Sequence, residues 1–137
     1  MALTHLVDTS ALKRLHHPPA HDRIDGLAVV GQLARPTICD LEVGFSARNE
    51  SEWDALTRAL KIFDLIETTT DDVHRALGVQ RMLAAASQRG RKIPDLLVAA
   101  AAERKNLTVL HYDTNFDLIS SVTGQPCEWV VPTGSVD

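Results

Sequence analysis

Acidic side chains follow several stretches of the sequence that predict β-strands. Asp8 comes directly after the first of these stretches. Asp40 and Glu42 come directly after the second, and Asp113 lies just beyond the fourth. Asp95 opens a segment that predicts an apolar helix. Because the carboxyl ends of parallel strands meet at one edge of an open sheet, these acids are candidates to converge in one cleft.

Each acid also has a structural interpretation. Asp8, Asp95 and Asp113 stand where a helix is predicted to begin, and aspartate is favoured there as a cap and by the helix dipole. Asp40 and Glu42 could serve in the same way. Helix capping explains each acid separately but not their shared position at the strand ends.

Carboxylates that share a cleft need a compensating charge, and a divalent cation is the usual one. Oxygen ligands favour Mg²⁺ or Mn²⁺, and the sequence offers no Cys or His cage for zinc. A metal held by carboxylates activates water and stabilises the charge on a phosphate, which is the chemistry of phosphodiester hydrolysis. No P-loop, dinucleotide fingerprint or nucleophile-elbow motif competes with this interpretation.

The elements that position these acids alternate between strands and helices. Apolar patterning predicts strands at residues 3–7, 36–39, 64–67, 107–110 and 128–131. Helices are predicted at residues 11–15, 21–33, 40–48, 52–63, 70–89, 95–105 and 115–121. The prediction is therefore an α/β fold with a mostly parallel sheet of about five short strands flanked by helices.

Length and charge set the remaining limits. A chain of 137 residues predicts one domain, residues 1–137. The net charge of −4 argues against a protein that coats nucleic acid by charge alone.

The longest apolar run, residues 96–102, is too short for a membrane span, and no targeting signal opens the chain. Two widely separated cysteines, Cys39 and Cys127, indicate buried thiols and a cytoplasmic protein.

Basic side chains near predicted helix ends are candidates to contact phosphate groups. Lys13 and Arg14 follow Asp8 by little more than one helical turn, and Arg48 lies within two turns of Glu42. Arg89, Arg91 and Lys92 also lie near predicted helix ends, and a solvated surface is the default interpretation of all six cations.

Taken together, five segments resemble the PIN-domain ribonucleases, specifically the VapC-type toxins of toxin–antitoxin pairs and most closely their mycobacterial-like members. The segments are residues 6–11, 38–48, 93–102, 111–119 and 127–132. They cover almost the whole chain in the expected order and spacing. Each motif is weak alone, whereas the set is specific. The resemblance implies a PIN-like fold in three layers.

The resemblance also implies roles for individual residues. The four catalytic acids fall on Asp8, Glu42, Asp95 and Asp113, and the metal ligands on Asp8, Asp95, Asp113 and Asp117. Ser10 is a supporting hydroxyl residue beside the first acid. Asn115 stands where many relatives carry Asp, so the number of metal ions bound, one or two, stays open.

The function implied is a toxin that hydrolyses RNA as a Mg²⁺- or Mn²⁺-dependent endoribonuclease and is inhibited by a cognate VapB-type antitoxin. The expected partners are this antitoxin, RNA and a second copy of the chain, in a homodimer and a toxin–antitoxin hetero-oligomer, with no membrane. Two alternatives remain open. An aspartyl phosphotransferase or phosphoacceptor domain also gathers acids at strand ends, and a PIN-like module could bind a partner without catalysis.

Overall fold

The structure, a computed structural model, describes residues 2–88 and 92–137. Its strands are β1 (His5–Val7), β2 (Leu33–Pro36), β3 (Asp64–Ile66), β4 (Thr108–His111) and β5 (Cys127–Trp129). Its helices are α1 (Thr9–Leu12), α2 (Pro18–Val29), α3 (Thr37–Phe45), α4 (Glu50–Leu60), α5 (Thr70–Ala85), α6 (Ile93–Lys105) and α7 (Asn115–Thr123). The predicted α/β fold with five parallel strands flanked by helices is confirmed.

The strand order places the predicted acids at one point of the sheet. The order is β3-β2-β1-β4-β5, with every neighbouring pair parallel. The chain leaves the central strand β1 in one direction through β2 and β3 and returns to its other side as β4. The order therefore reverses between β1 and β4, and a crevice opens beyond the carboxyl ends of strands at such a reversal.

Alternating strand residues build two cores, one on each face of the sheet. Leu6 and Val109 belong to a core with buried residues of α5, α6 and α7. Val7 and Leu110 belong to a second core with buried residues of α1, α2, α3 and α4. The helices therefore cover both faces, which gives the three layers expected of a PIN-like fold. Among the described residues, no helix combines the length and the apolar character needed to cross a membrane.

The predicted position of the second strand along the chain is wrong. Residues 36–39 were expected to form it, but β2 ends at Pro36 and α3 begins at Thr37. The sequence pattern did not predict this strand because it contains Arg35, and a charged residue is unusual in a strand whose residues are all buried. Its guanidinium donates from Nε to Asp40 Oδ1 over 2.7 Å. Asp40 and Glu42 therefore lie within α3 and do not directly follow the strand.

Two helices also differ from their predictions. The adjacent prolines Pro18 and Pro19 predict an irregular loop at residues 16–19. Instead α2 begins at Pro18, since proline fits the first turn of a helix. In α5, the sequence predicts that Val73, Leu77, Met82 and Leu83 face the core. Leu83 is buried and Met82 is half-buried, whereas Val73 and Leu77 are exposed. The buried face instead begins at Asp72, whose charge pairs with Arg104. The sequence also predicts that this helix ends at Gly90. Gly90 and the adjacent cations Arg89 and Arg91 lie outside the described residues.

Candidate active site

Asp8 links the end of β1 to the start of α1. It caps the helix, and its Oδ2 accepts hydrogen bonds from the Ser10 backbone N–H at 3.0 Å and the Ser10 hydroxyl at 2.6 Å. The Tyr112 backbone N–H donates to the same hydroxyl oxygen over 2.9 Å, so Ser10 joins the ends of β1 and β4. Asp8 is only 4% exposed. This burial raises its pKa, although the Ser10 hydrogen bonds oppose the shift.

Asp95 lies in the first turn of α6, just after Pro94. Asn115 Nδ2 donates to its Oδ2 over 3.0 Å, and the Asn115 backbone N–H donates to Asp113 Oδ1 over 2.9 Å. Asn115 therefore fixes two acids at once. Asp95 is 5% exposed. Burial raises the pKa of Asp95 to about 6, although the hydrogen bond from Asn115 opposes the shift.

Glu42 and Asp113 are more accessible than the two buried aspartates. Glu42 is exposed on α3, and its Oε1 accepts a hydrogen bond of 2.9 Å from the Thr9 hydroxyl. Asp113 follows β4, and its Oδ2 lies 3.3 Å from Lys92 Nζ. The pKa of Lys92 is raised, chiefly by the charge on Asp113 and less by the charges on Asp95 and Asp8.

The four acids predicted to be catalytic line one cleft of about 320 Å³ at the reversal of strand order. The remaining lining residues are Thr9, Ser10, Lys13, Arg14, Lys92 and Tyr112. The charges on Glu42 and Asp113 also raise the pKa of Asp8, because nearby like charges disfavour its ionised form. Four acids from four parts of the chain thus line one cleft. Asp8, Asp95 and Asp113 do so from the positions that the sequence predicted, whereas Glu42 does so from within α3.

The acids line the same cleft, but their carboxylate oxygens do not all lie within the short distances of a preformed metal site. In residues 2–88 and 92–137, the ligand atoms that all lie within 4.8 Å of one another belong to His16, His17 and Asp137. That group is on the surface, where Asp137 is 94% exposed. No three of the described cleft carboxylates come that close.

Two predicted site residues lie elsewhere. Asp117 is exposed on α7 and does not line the cleft, and its Oδ1 accepts a hydrogen bond of 3.1 Å from Trp129 Nε1. Its role as a metal ligand therefore stays a prediction. Arg48 is 85% exposed and forms an ion pair of 2.9 Å with Glu52. Lys13 and Arg14 do line the cleft, as their spacing from Asp8 predicted.

Lys92 and Thr9 are cleft residues whose roles the sequence did not show. Lys92 was interpreted as a solvated surface cation, yet it contacts Asp113 across the cleft. The available signal was its position three residues before Asp95, at the start of the same helix. Thr9 resembles a second helix-capping residue in the sequence. Its contact with Glu42 depends on the packing of α1 against α3, which local spacing does not show.

Comparison with known proteins agrees with this geometry. The family model "PIN domain" matches residues 5–121. Ribonuclease VapC51 of Mycobacterium tuberculosis is 61% identical over 137 residues, covering 100% of both chains. Ribonuclease VapC21 of the same species is 39% identical over 137 residues, covering 98% of this chain and 99% of the relative.

A solved structure matches the fold over nearly its full length. VapBC2 from Rickettsia felis, bound to a DNA fragment from their promoter, superposes with a TM-score of 0.76. The match covers 94% of this chain and 99% of that chain at 15% identity. At this identity the likeness establishes the fold alone. The family model and the relatives go further: the chain belongs to the PIN-domain family and, within it, to the VapC ribonuclease toxins of toxin–antitoxin systems.

Proposed function

We propose that residues 1–137 form a single PIN domain that cleaves RNA internally, with Mg²⁺ or Mn²⁺ held by the acidic cleft. The observation that carries the proposal is the state of Asp8 and Asp95. Both are at least 95% buried, both have raised pKa values, and neither forms an ion pair within the described residues. Buried carboxylates without an ion-pair partner are costly to the fold, and such perturbed groups cluster at functional sites.

The donor set fits a hard divalent cation. Asp8, Asp95 and Asp113 offer only oxygen atoms, which Mg²⁺ and Mn²⁺ prefer. When bound, such a metal supplies an activated water and stabilises the charge that develops on the phosphate. The side chains that surround the carboxylates support this assignment, because Ser10 and Asn115 hold Asp8 and Asp95 by hydrogen bonds that leave other carboxylate oxygens free.

Glu42 differs from the buried acids in exposure and therefore in its proposed role. The Thr9 hydroxyl donates to Glu42 Oε1, and the exposed Glu42 lines the cleft. An exposed carboxylate in that position orients the attacking water and accepts its proton. Asp8 and Asp95, being buried, are proposed to serve as metal ligands.

The RNA backbone is proposed to contact Lys13 and Arg14. Arg14 is held by hydrogen bonds from Nη1 to the Ser10 carbonyl and from Nε to the Asp137 carbonyl, and its guanidinium stacks 4.6 Å from the centre of the Tyr112 ring. A cation fixed in this way loses little conformational entropy when it binds a phosphate. Arg48 is a weaker candidate because Glu52 already neutralises it.

A cognate antitoxin is proposed to bind an apolar groove beside the cleft. The groove has a volume of about 310 Å³ and lies between α1, α3 and α4. Its apolar lining includes Leu12, Leu15, Leu56, Leu60 and Phe63. The similarity to the VapBC2 assembly of R. felis supports a toxin–antitoxin hetero-oligomer. Leu56→Asp should prevent copurification with the antitoxin while leaving RNA cleavage by the free toxin intact.

A homodimer is proposed through a second apolar surface, formed by Ile38, Leu41, Phe45 and Pro94. The side chains of Leu41 and Phe45 are exposed, and Phe45 is 93% exposed. Exposed apolar patches of this kind mark protein contacts. Phe45→Asp should convert a dimer to a monomer in analytical ultracentrifugation.

The cytoplasm is the proposed location, because Cys39 and Cys127 are free thiols.

Purified protein free of antitoxin, incubated with total RNA, tests the nuclease proposal. Cleavage should occur with Mg²⁺ or Mn²⁺ and stop with EDTA. Asp8→Asn and Asp95→Asn should lose about 1,000-fold in rate. Asp25→Asn, an exposed acid on α2, is the matched control and should keep wild-type activity. Acid-labile phosphate on Asp8 would instead indicate a phosphoacceptor, and metal binding without cleavage of any RNA would indicate a binding module.

A further inference from the structure

Lys92 is positioned by the start of α6. Its backbone is extended, with φ −69° and ψ 132°, and its carbonyl oxygen accepts a hydrogen bond from the Leu96 backbone N–H over 3.4 Å. Proline at position 94 fixes the first turn. The Lys92 side chain then reaches across the cleft to Asp113, a residue that follows β4. The helix that carries Asp95 therefore also presents a cation to the same group of acids.

Lys92 differs from the other two cations of the cleft. Arg14 is engaged by the Ser10 and Asp137 carbonyls, and Lys13 forms no ion pair in the described residues. Lys92 Nζ alone among them lies within 4 Å of a cleft carboxylate, at 3.3 Å from Asp113 Oδ2. Its side chain is 66% exposed, so it is free to leave. An ion pair this exposed is weak, which makes the contact reversible.

We propose that Lys92 is a tethered counterion of the cleft, which competes with the metal for Asp113 and, once displaced, contacts a phosphate of the RNA. The RNA contact rests on the proposed nuclease function. The ammonium group partly offsets the repulsion between carboxylates that have no metal between them. A divalent cation at Asp113 repels a positive charge 3.3 Å from the same carboxylate, so the two exclude each other. The freed ammonium group stays beside the cleft because its backbone is fixed at the start of α6.

Titration of the metal-free protein with Mn²⁺ in a calorimeter, without RNA, tests the competition. Lys92→Gln should bind Mn²⁺ about fivefold more tightly than wild type, the effect of removing one charge a few Å away in water. Lys92→Arg should restore wild-type affinity. Lys105→Gln is the matched control, since Lys105 is exposed at the opposite end of α6. The gain should shrink as ionic strength rises, because salt screens the repulsion.

Steady-state cleavage of one RNA oligonucleotide tests the second half of the proposal. Lys92→Gln should raise the KM for RNA about tenfold, the loss of a charge-assisted phosphate contact, while Lys105→Gln should not. Mn²⁺ affinity that is equal or weaker in Lys92→Gln than in Lys105→Gln would overturn the competition. An unchanged KM would overturn the phosphate contact. If wild type binds Mn²⁺ but cleaves no RNA, the nuclease proposal fails while the Mn²⁺ titrations still decide the competition.

Discussion

Asp72 and Asp95 are both buried aspartates near the start of a helix. Asp72 forms an ion pair that stabilises the fold, whereas Asp95 lies in the candidate active site. Asp72 is 1% exposed in the first turn of α5, and Asp95 is 5% exposed in the first turn of α6. Asp72 accepts hydrogen bonds of 2.8 and 3.0 Å from Arg104 and one of 3.0 Å from the Thr69 backbone N–H. Asp95 accepts its hydrogen bond from a neutral amide, Asn115.

The difference appears in the pKa values. Burial raises the pKa of Asp72, but the bonds from Arg104 and Thr69 outweigh it and hold the pKa below its ordinary value. Burial also raises the pKa of Asp95, and there the hydrogen bond from Asn115 and the charge of Lys92 do not reverse the shift to about 6. The fold therefore compensates the charge of Asp72 with that of Arg104, whereas the charge of Asp95 has no ion-pair partner in the described part of the chain and is available to a ligand. A paired buried acid indicates structure, and an unpaired one indicates a site.

The largest expected effect is a difference in the free energy of unfolding between a variant that unpairs Asp72 and one that removes the charge of Asp95. Arg104→Met leaves the buried Asp72 charge unpaired, so it should lower the free energy of unfolding by about 3 kcal/mol. Asp95→Asn removes an uncompensated charge, so metal-free Asp95→Asn should be as stable as wild type or more stable at neutral pH. Urea denaturation in EDTA measures both. A loss of stability in Asp95→Asn comparable to that in Arg104→Met would remove the distinction.

The two aspartates should also give opposite pH dependences of stability. The pKa of Asp95 is raised from 3.8 to about 6 on folding, so its contribution to stability is present below pH 3.8 and is lost as pH rises through about 6. The pKa of Asp72 is lowered from 3.8, so its contribution is present above that value and is lost as pH falls. Urea denaturation of metal-free wild type and Asp95→Asn across this window should show the wild type losing stability relative to the variant as pH rises. Parallel curves would contradict the sign.

A smaller effect is expected when one more charge is added to the cleft. Asn115→Asp replaces the amide that donates to Asp95 with a third carboxylate beside Asp95 and Asp113. The added repulsion should destabilise the metal-free protein and tighten Mn²⁺ binding by about tenfold. Calorimetric titration with Mn²⁺ checks this result, with Asp25→Asn as a surface-charge control. Weaker Mn²⁺ binding in Asn115→Asp would show that the amide itself is a required ligand.

The smallest effect is expected at Arg48. Its ion pair with Glu52 is exposed and lies outside the cleft lining, and such pairs contribute between about 0 and 1 kcal/mol. Arg48→Gln should change neither the KM for RNA nor the free energy of unfolding measurably. A rise in KM matching that of Lys13→Gln would restore Arg48 to the RNA-binding surface predicted from the sequence.

The sequence predicted what depends on local pattern. Asp8, Asp95 and Asp113 could be assigned to one cleft because each follows a strand or opens a helix, and parallel strands bring such positions together. The register of β2 was missed because the buried Arg35 depends on its ion pair with Asp40, a residue of the following helix. The same limit applies to Lys92, whose partner Asp113 is 21 residues away and meets it only through the order of the strands.

The most direct test of the contrast between compensated and uncompensated aspartates is Mn²⁺ binding measured by calorimetry. Wild type, Asp95→Asn and Asp72→Asn should be compared at one pH and ionic strength, each after its fold is verified by circular dichroism. Asp95→Asn should bind Mn²⁺ at least about tenfold more weakly than wild type, while folded Asp72→Asn should bind it as wild type does. Equal Mn²⁺ affinity in wild type and Asp95→Asn would contradict the assignment of the unpaired carboxylates as the metal centre.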